Sequence, residues 1–421
     1  MNRDTMMETK WGKILFGCFL FTMLLLARDT LITSCILGFT KSQILMLGII
    51  GLLGLVFLIR NRVQWKQILT DRRILLMGIS ALLLLVPMAV KRDWQLMYFS
   101  ILICLLLPIF LTWILSWQET AKYYVCILAG LGLYSLVGMY LLKPLALSGK
   151  LTPEVFLNSA EMAFYNFGLT YVVPLEFWHR NFGIFREPGV YQFFLILGIY
   201  LNHYGVNWNK AWKMWLVSAV LAATLISTFA IGGFIELGLL AVFIYFEKQY
   251  YRTKVGKMAI VAVIAGVVAV ACHIIYILRT GIFEHSIYYE LYDMYKRLTT
   301  ESNSLVDRIS AIFVSAELFL KNPLFGDTIA NVLHGTAHNT SSTLILFAIG
   351  GFCVGMLNVA AWMALLWRKE RSIIANLMLM VILFMSFNTQ NLTADVFFWL
   401  FPYMALTETV LKNWKFPERK A

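Results

Sequence analysis

Long apolar runs separated by short charged segments set the pattern of this chain. Runs of about twenty apolar residues, the length needed to cross a bilayer as a helix, recur from one end to the other. They are continuous rather than alternating, so they predict helices and disfavour a transmembrane β-barrel. We therefore predict an all-α integral membrane protein with about twelve transmembrane helices in one polytopic domain, residues 1–421. The candidate helices are 12–27, 43–59, 74–90, 95–115, 122–142, 188–204, 212–228, 231–247, 258–278, 339–366, 372–387 and 394–411.

Composition agrees with this prediction. The chain is 60% hydrophobic and 14% charged, whereas soluble domains carry roughly a quarter charged residues. The net charge of +12 could suggest a nucleic-acid partner, but most Lys and Arg lie in the short segments between apolar runs. The positive-inside rule produces this distribution, so we expect no nucleic acid.

The basic residues also predict an orientation. With the N-terminus inside, the inner connections hold 22 of the 35 Lys and Arg residues. Nine of the other 13 lie in two long outer connections, about 143–187 and 279–338, and long connections escape the charge rule. We predict that both termini are cytoplasmic and that both long loops are extracytoplasmic. We interpret the first apolar run as a spanning helix and not as a cleaved signal peptide.

A charged cluster closes the first outer loop, in the run from His179 to Gly189. Arg180 and Arg186 are candidates for an anion clamp, because a guanidinium matches phosphate with two parallel hydrogen bonds. Pro188 fits the first turn of the next helix, whose free N–H groups add positive potential. The alternative is that both arginines simply face lipid headgroups.

Two residues are candidates for a general base. Glu187 could accept a proton or bind a sugar hydroxyl, or it could form a salt bridge that orients an arginine. His338, which Asn339 follows, precedes an apolar helix near the end of the second outer loop. A histidine can accept a proton near neutral pH, although this one could also be incidental to a helix cap.

The second outer loop contains a helix of its own. Ser304 to Asp307 fits a helix start, apolar residues follow at helical spacing, and Asn322-Pro323 fits its end. Arg308 is placed in the first turn, where the helix dipole disfavours a cation. It therefore either meets a bound anion or pairs with a nearby acid.

Other features predict structure rather than chemistry. We interpret Glu236 as bonded to a neighbouring helix, Gly232-Gly233 as the turn before its own helix, and Gly350-Gly351 with Gly355 as a surface for close helix packing. The six cysteines form no CxxC pair, and we expect no disulfide, no metal site and no cofactor. Motifs for phosphate-binding loops, zinc hydrolases and metal-bound nucleotide sugars are missing from the sequence.

The charged cluster of the first outer loop and the second half of the second outer loop resemble the O-antigen polymerase and ligase superfamily. Residues Arg180 to Gly189 are similar to that family's R-x-x-G-x-F-x-E-P motif. The second loop is similar in its order: Asp307-Arg308 opens a helix, Asn322 to Gly326 follows, and His338-Asn339 precedes a helix with a glycine pair. The chain departs from the family at Ser227-Thr228, where members often carry a serine–arginine pair, which questions a catalytic role for that turn.

The resemblance implies a GT-C-like, inverting, metal-independent glycosyltransferase in the bacterial cytoplasmic membrane with an extracytoplasmic active site. Its donor and acceptor would be undecaprenyl-pyrophosphate-linked glycans, with a chain-length regulator as a further partner. His338 or Glu187 would take the acceptor proton, and Arg180, Arg186 and Arg308 with Asn339 would bind the pyrophosphate.

Three functions stay open. The modest outer loops favour a polymerase of lipid-linked repeat units over a ligase that transfers the glycan to another acceptor. A flippase or exporter of lipid-linked oligosaccharide is the alternative from another class. It would need charges along a central path, whereas the charges here collect at the outer ends of the predicted helices.

Overall fold

The computed structural model is mostly helical, as the apolar runs predict. It describes residues 9–60, 71–158, 161–176, 178–254, 303–334 and 340–413, with scattered positions between 257 and 276. The predicted helix 258–278 lies almost entirely outside the described residues. The contacts divide the chain into two compact units: residues 1–127, 204–209 and 306–421 form the first, and residues 128–203 and 210–305 form the second.

The helices follow the predicted runs closely. Eleven of the twelve predicted ranges coincide with helices in the described part of the chain, and the helix predicted inside the second outer loop is confirmed at Asn303–Lys321. The helices are α1 Lys10–Leu25, α2 Phe39–Arg60, α3 Arg72–Lys91, α4 Leu96–Leu111, α5 Trp117–Val137, α6 Lys143–Leu147, α7 Pro188–Tyr204, α8 Ala211–Ser227, α9 Ile231–Glu247, α10 Asn303–Lys321, α11 Ile329–His334, α12 Ser342–Leu366, α13 Ile373–Asn388 and α14 Val396–Asn413.

Several helices are suited to a bilayer. Among the described residues, four are long and apolar enough to cross a membrane: Phe39–Val56, Arg72–Lys91, Trp117–Leu147 and Ser342–Leu366. The third combines α5, a π-helical turn Gly138–Leu142 and α6 without a break. Shorter apolar helices include α4, α8 and α13. The chain is thus a helical protein with the character of a membrane protein, and the number of spans stays a prediction.

The first outer loop contains a small antiparallel sheet that the sequence analysis did not anticipate. Its strands are β1 Glu154–Leu157, β2 Ala163–Asn166 and β3 Tyr171–Val172, in the order β1-β2-β3. Phe156 lies opposite Phe164, and their rings stack with centroids 5.6 Å apart. Phe164 also contacts Phe182 edge-on at 5.2 Å, so one face of the sheet packs inward.

Aromatic packing forms the core of the first unit. Trp362 of α12 stacks on Phe387 of α13 at 4.5 Å, and Phe398 of α14 lies against both rings. Tyr403 of α14 is fully buried and is hydrogen-bonded to Ser80 of α3. These contacts hold α3, α12, α13 and α14 together.

A kink interrupts α12 at Gly351. This residue has φ 70°, and a Cβ there would collide with the carbonyl oxygen of Leu324. The loop after α10 completes the broken helical hydrogen bonds, because Phe352 N donates to Pro323 O at 2.7 Å and Asp327 N donates to Ala348 O at 2.6 Å. Gly351 thus admits a loop into the helix, a different role from the helix-packing surface that we expected.

Two details correct the sequence analysis. The turn between α8 and α9 lies at Thr228–Ala230, with φ 47° at Phe229, and Gly232-Gly233 belong to the first turn of α9. Helix α10 begins at Asn303, which places Arg308 in the second turn. The dipole argument for Arg308 is therefore wrong, because the effect fades beyond the first turn.

Candidate functional site

Asn181 holds the charged turn that closes the first outer loop. Its side-chain amide donates to Ser135 Oγ of α5 and to Ser227 Oγ at the end of α8, both at 2.9 Å. Its backbone N–H donates to Ser227 O at 2.9 Å, and its side-chain carbonyl accepts from Gly183 N at 2.9 Å. Asn181 is 1% exposed. One buried side chain therefore fixes the turn to two helices of the second unit.

Gly183 allows this turn to pass close to α7. It has φ 55°, a left-handed conformation that disfavours residues with a side chain. A Cβ at this position would lie 2.6 Å from the ring of Tyr191. The Tyr191 ring in turn packs against Phe185 with centroids 5.0 Å apart. The glycine of the predicted motif is thus required by sterics.

The two arginines of the turn differ in exposure. Arg180 is half-buried, and its Nε donates to Thr228 O at 3.4 Å. Arg186 and Glu187 are exposed, immediately before α7 begins at Pro188 as expected. The backbone N–H groups of Val190 and Tyr191 both donate to Glu187 O at 3.2 Å. Arg180, Arg186 and Glu187 thus lie on one turn that Asn181 anchors and that leads into α7.

A buried lysine supports the same turn. Lys143 at the start of α6 is 3% exposed, and its ammonium donates to the carbonyl of Trp178. His179 follows directly and is half-buried. Burial, and secondly the positive charge of Lys143, lower the pKa of His179 below its ordinary value. His179 is therefore a neutral imidazole at neutral pH, and the positive charge near this turn comes from Lys143, Arg180 and Arg186.

Glu236 lies in the same unit and is fully buried on α9. Gln192 of α7 donates to Glu236 Oε2 at 2.7 Å. Helices α7 and α9 approach closely here, because a Cβ on Gly232 or Gly233 would lie 3.0 Å from the Gln192 side chain. The prediction that Glu236 bonds to a neighbouring helix is confirmed.

The remaining predicted site residues belong to the first unit. Arg308 lies on α10, but its side chain is outside the described residues, as are His338 and Asn339 entirely. The structure does describe how the segment that contains His338 and Asn339 is anchored at both of its ends. Asp93 accepts from Ile329 N at 2.7 Å at the start of α11. At the other end, Asn388 Oδ1 accepts from Ser341 Oγ and from Thr343 N, each at 3.1 Å.

Lys91 anchors the second outer loop with three hydrogen bonds. Its ammonium donates to Tyr98 Oη at 2.7 Å, to Asp327 O at 2.9 Å and to the carbonyl of Ile349. All three N–H donors of the ammonium are thereby used. The loop after α10 is thus attached to both α3 and the kink of α12.

Sequence reasoning missed Asn181, Ser135, Ser227 and Lys143 as parts of the site. Asn181 occupies an unspecified position of the recognised motif, and its partners lie 46 residues away on either side. The sequence does carry one indication of a role for Lys143, because it is a lysine at the end of a long apolar run. The doubt about the Ser227-Thr228 turn concerned catalysis, whereas its observed role is to hold Arg180 and Asn181.

The described residues contain no group of three or more His, Cys, Asp or Glu residues placed to hold a metal ion. The arrangement offers guanidinium groups and a helix N-terminus for an anion, with a carboxylate beside them. Comparisons of the chain with models of protein families, with curated proteins and with solved structures find no significant match.

Proposed function

We propose that this chain is a membrane glycosyltransferase that polymerises undecaprenyl-pyrophosphate-linked repeat units into a surface polysaccharide. The observation that carries the proposal is the turn at residues 180–187, which Asn181 fixes at the N-terminus of α7. It presents two guanidinium groups at the start of a helix, an arrangement that suits a pyrophosphate. The resemblance of its sequence to the polymerase and ligase superfamily supplies the substrate class.

The proposed reaction is a direct displacement at the anomeric carbon of the donor. A hydroxyl oxygen of the acceptor sugar forms the new bond to that carbon, while the bond from the carbon to the phosphate oxygen breaks. The pyrophosphate leaves with the electron pair, and the hydroxyl proton passes to a base. Arg180 and Arg186 stabilise the charge that grows on the leaving group, and each such stabiliser contributes about 10²–10³ in rate.

The base is His338 or Glu187. Glu187 is exposed beside Arg186, where an acceptor hydroxyl can reach it. His338 is the stronger candidate chemically, because the ordinary pKa of an imidazole lies near neutral pH, where a general base is most effective. Arg308 and Asn339 complete the set of proposed pyrophosphate ligands.

The test is the length of surface polysaccharide, separated on gels, from cells of the native host that carry single substitutions at matched expression. Arg186→Ala and His338→Ala should each reduce long chains to single repeat units. Lys150→Ala is the matched control, because Lys150 is an exposed cation of the same outer loop outside the turn. It should leave the ladder unchanged.

The outcomes separate the three functions. Single repeat units that still reach the cell surface support a polymerase. Complete loss of surface glycan, single units included, would instead favour a ligase or a flippase. Normal ladders in both the Arg186 and the His338 variants would refute the site assignment.

A further inference from the structure

A groove with a volume of about 550 Å³ runs along one side of α13 in the first unit. Two rows of side chains border it, each with a residue at every fourth position, so the groove lies between two ridges of the helix. One row is Leu377, Val381 and Met385, and the other is Met380, Phe384 and Asn388. The volume falls within the range of about 300–1,000 Å³ that is usual for ligand sites.

The groove is apolar along its length and polar at one end. All its lining residues from Leu377 to Met385 are apolar, whereas Asn388 and Thr389 line it where α13 ends. At 1.5 Å per residue, the distance from Leu377 to Asn388 is about 16 Å, roughly half of a 30 Å hydrocarbon core. The predicted orientation places Asn388 at the outer end of α13. The groove therefore has the depth of the outer leaflet.

Asn388 connects the polar end of the groove to the N-terminus of α12. Its Oδ1 atom accepts from Ser341 Oγ and from Thr343 N, each at 3.1 Å. Ser341 does not cap α12 with its own side chain, and its φ of 80° is a left-handed conformation that disfavours residues with a side chain. The groove thus ends beside the start of a long helix, where the partial positive charge favours anions.

Two buried hydroxyls at this helix end indicate a polar ligand. Thr340 and Thr343 are 7% and 5% exposed, and neither Oγ1 atom has a hydrogen-bond partner among the described residues. Buried polar groups are almost always paired, because an unpaired hydroxyl in apolar surroundings is costly. The hydroxyls and the helix end suit a phosphate, and the groove beside them suits a long apolar chain.

We propose that the groove on α13 holds the polyprenyl chain of the lipid-linked donor, and that Thr340 and Thr343 bind its pyrophosphate. The inference rests on the proposed function, which supplies the donor, and adds where the donor's chain lies. A pyrophosphate suits the positive helix end better than phosphatidylethanolamine does, because the headgroup of that phospholipid carries a compensating ammonium. Arg308, already proposed as a pyrophosphate ligand, precedes Ile312 of the groove by one turn of α10.

Binding of two probes to the purified full-length protein in detergent tests the inference, with native mass spectrometry as the measurement. Undecaprenyl pyrophosphate and undecaprenol share the chain and differ in the pyrophosphate. Val381→Trp and Met385→Trp fill the groove, and each should weaken binding of both probes by about tenfold or more. Met378→Trp is the matched control and should leave both affinities unchanged, because Met378 is an exposed residue of the same helix outside the groove.

Thr343→Val tests the polar end of the site. The substitution removes the hydroxyl and nearly keeps the shape of the side chain. It should weaken binding of undecaprenyl pyrophosphate by about tenfold, as the loss of a hydrogen bond to a charged group predicts, and leave binding of undecaprenol unchanged. Equal losses for the two probes would overturn the placement of the pyrophosphate at Thr343.

Three further outcomes are decisive. Undiminished binding of undecaprenyl pyrophosphate by Val381→Trp and Met385→Trp would overturn the inference but leave the proposed function in place, since the donor would then bind elsewhere. Displacement of either probe by an equal concentration of phosphatidylethanolamine would assign the groove to ordinary bilayer lipid. A wild type that does not bind the pyrophosphate would refute the proposed function itself. Elution of each variant as a single symmetric peak in detergent verifies its fold before binding is measured.

Discussion

Single side chains hold the charged turn in place. Asn181 satisfies every hydrogen-bonding group of its amide within the protein, and it links residues that the sequence places far apart. Lys91 does the same for the second outer loop with its three donors. Both side chains connect a polar loop to apolar helices, where an unsatisfied polar group is costly.

Replacement of Asn181 by Ala should destabilise the second unit. It would remove the buried N–H donors that the Asn181 amide supplies to the hydroxyls of Ser135 and Ser227, and the loss of buried hydrogen-bond partners costs about 1–3 kcal/mol. The apparent melting temperature of the purified protein in detergent should fall. Asn166→Ala is the control, because the Asn166 amide makes an exposed contact with Glu154 at 3.3 Å. Equal melting temperatures for the two variants would contradict the role assigned to Asn181.

His179 should make stability depend on pH. Its pKa is lowered in the folded protein, so the unfolded chain binds a proton that the folded chain does not. The contribution of His179 to the free energy of unfolding is fully present above the ordinary histidine pKa of about 6.5. It is lost as the pH falls from there through the lowered pKa of the folded protein.

The His179→Gln variant should lose this part of the dependence. Melting temperatures recorded from about pH 8 to about pH 5, a range that brackets the ordinary histidine pKa, should decline less steeply for the variant than for the wild type. Parallel curves would show that His179 does not titrate as its surroundings indicate.

At the scale of elements, the kink of α12 joins a helix to a loop. Gly351 adopts φ 70°, and the segment from Pro323 to Asp327 takes over the hydrogen bonds that the helix gives up. The loop and the helix therefore form one structural element, although 24 residues separate Asp327 from Gly351 in the sequence.

Gly351→Ala should unfold this element. The side chain would meet the Leu324 carbonyl, and a non-glycine residue held in strained backbone costs about 1–3 kcal/mol before the collision is counted. Gly238→Ala is the matched control, because Gly238 lies inside α9 with nothing within 4 Å of its added Cβ. That substitution should be neutral or stabilise by about 0.5–1 kcal/mol. Thermal unfolding in detergent compares the two, and similar losses in both would refute the explanation.

The sequence predicts the helices well because their signal is local. A run such as 74–90 carries its own length and apolar character, and the structure has α3 at Arg72–Lys91. The sheet was missed because β3 has two residues, and its pairing with β2 depends on contacts that no short window contains. The anchors of the site were missed for the same reason, since Asn181 depends on partners in two other helices.

At the scale of the whole molecule, orientation is the open prediction. Basic residues predict that both termini face the cytoplasm and that residue 150 lies outside. A fluorescent protein fused to the C-terminus should therefore be bright, and alkaline phosphatase fused after Lys150 should be active. Phosphatase fused after Asn209, in a predicted inner connection, should be inactive. The reverse pattern of enzyme activity would invert the predicted topology.

The kink of α12 also bears on the order in which this protein is made. Residues 323–327 leave the ribosome before residues 348–352, so the loop is synthesised before the part of α12 with which it pairs. Before the loop docks, the N–H of Phe352 and the carbonyl of Ala348, four residues apart, can pair with each other as in a regular α-helix. Docking of the loop therefore exchanges one helical hydrogen bond for the two bonds to Pro323 and Asp327, so the kink forms only after both segments have been made.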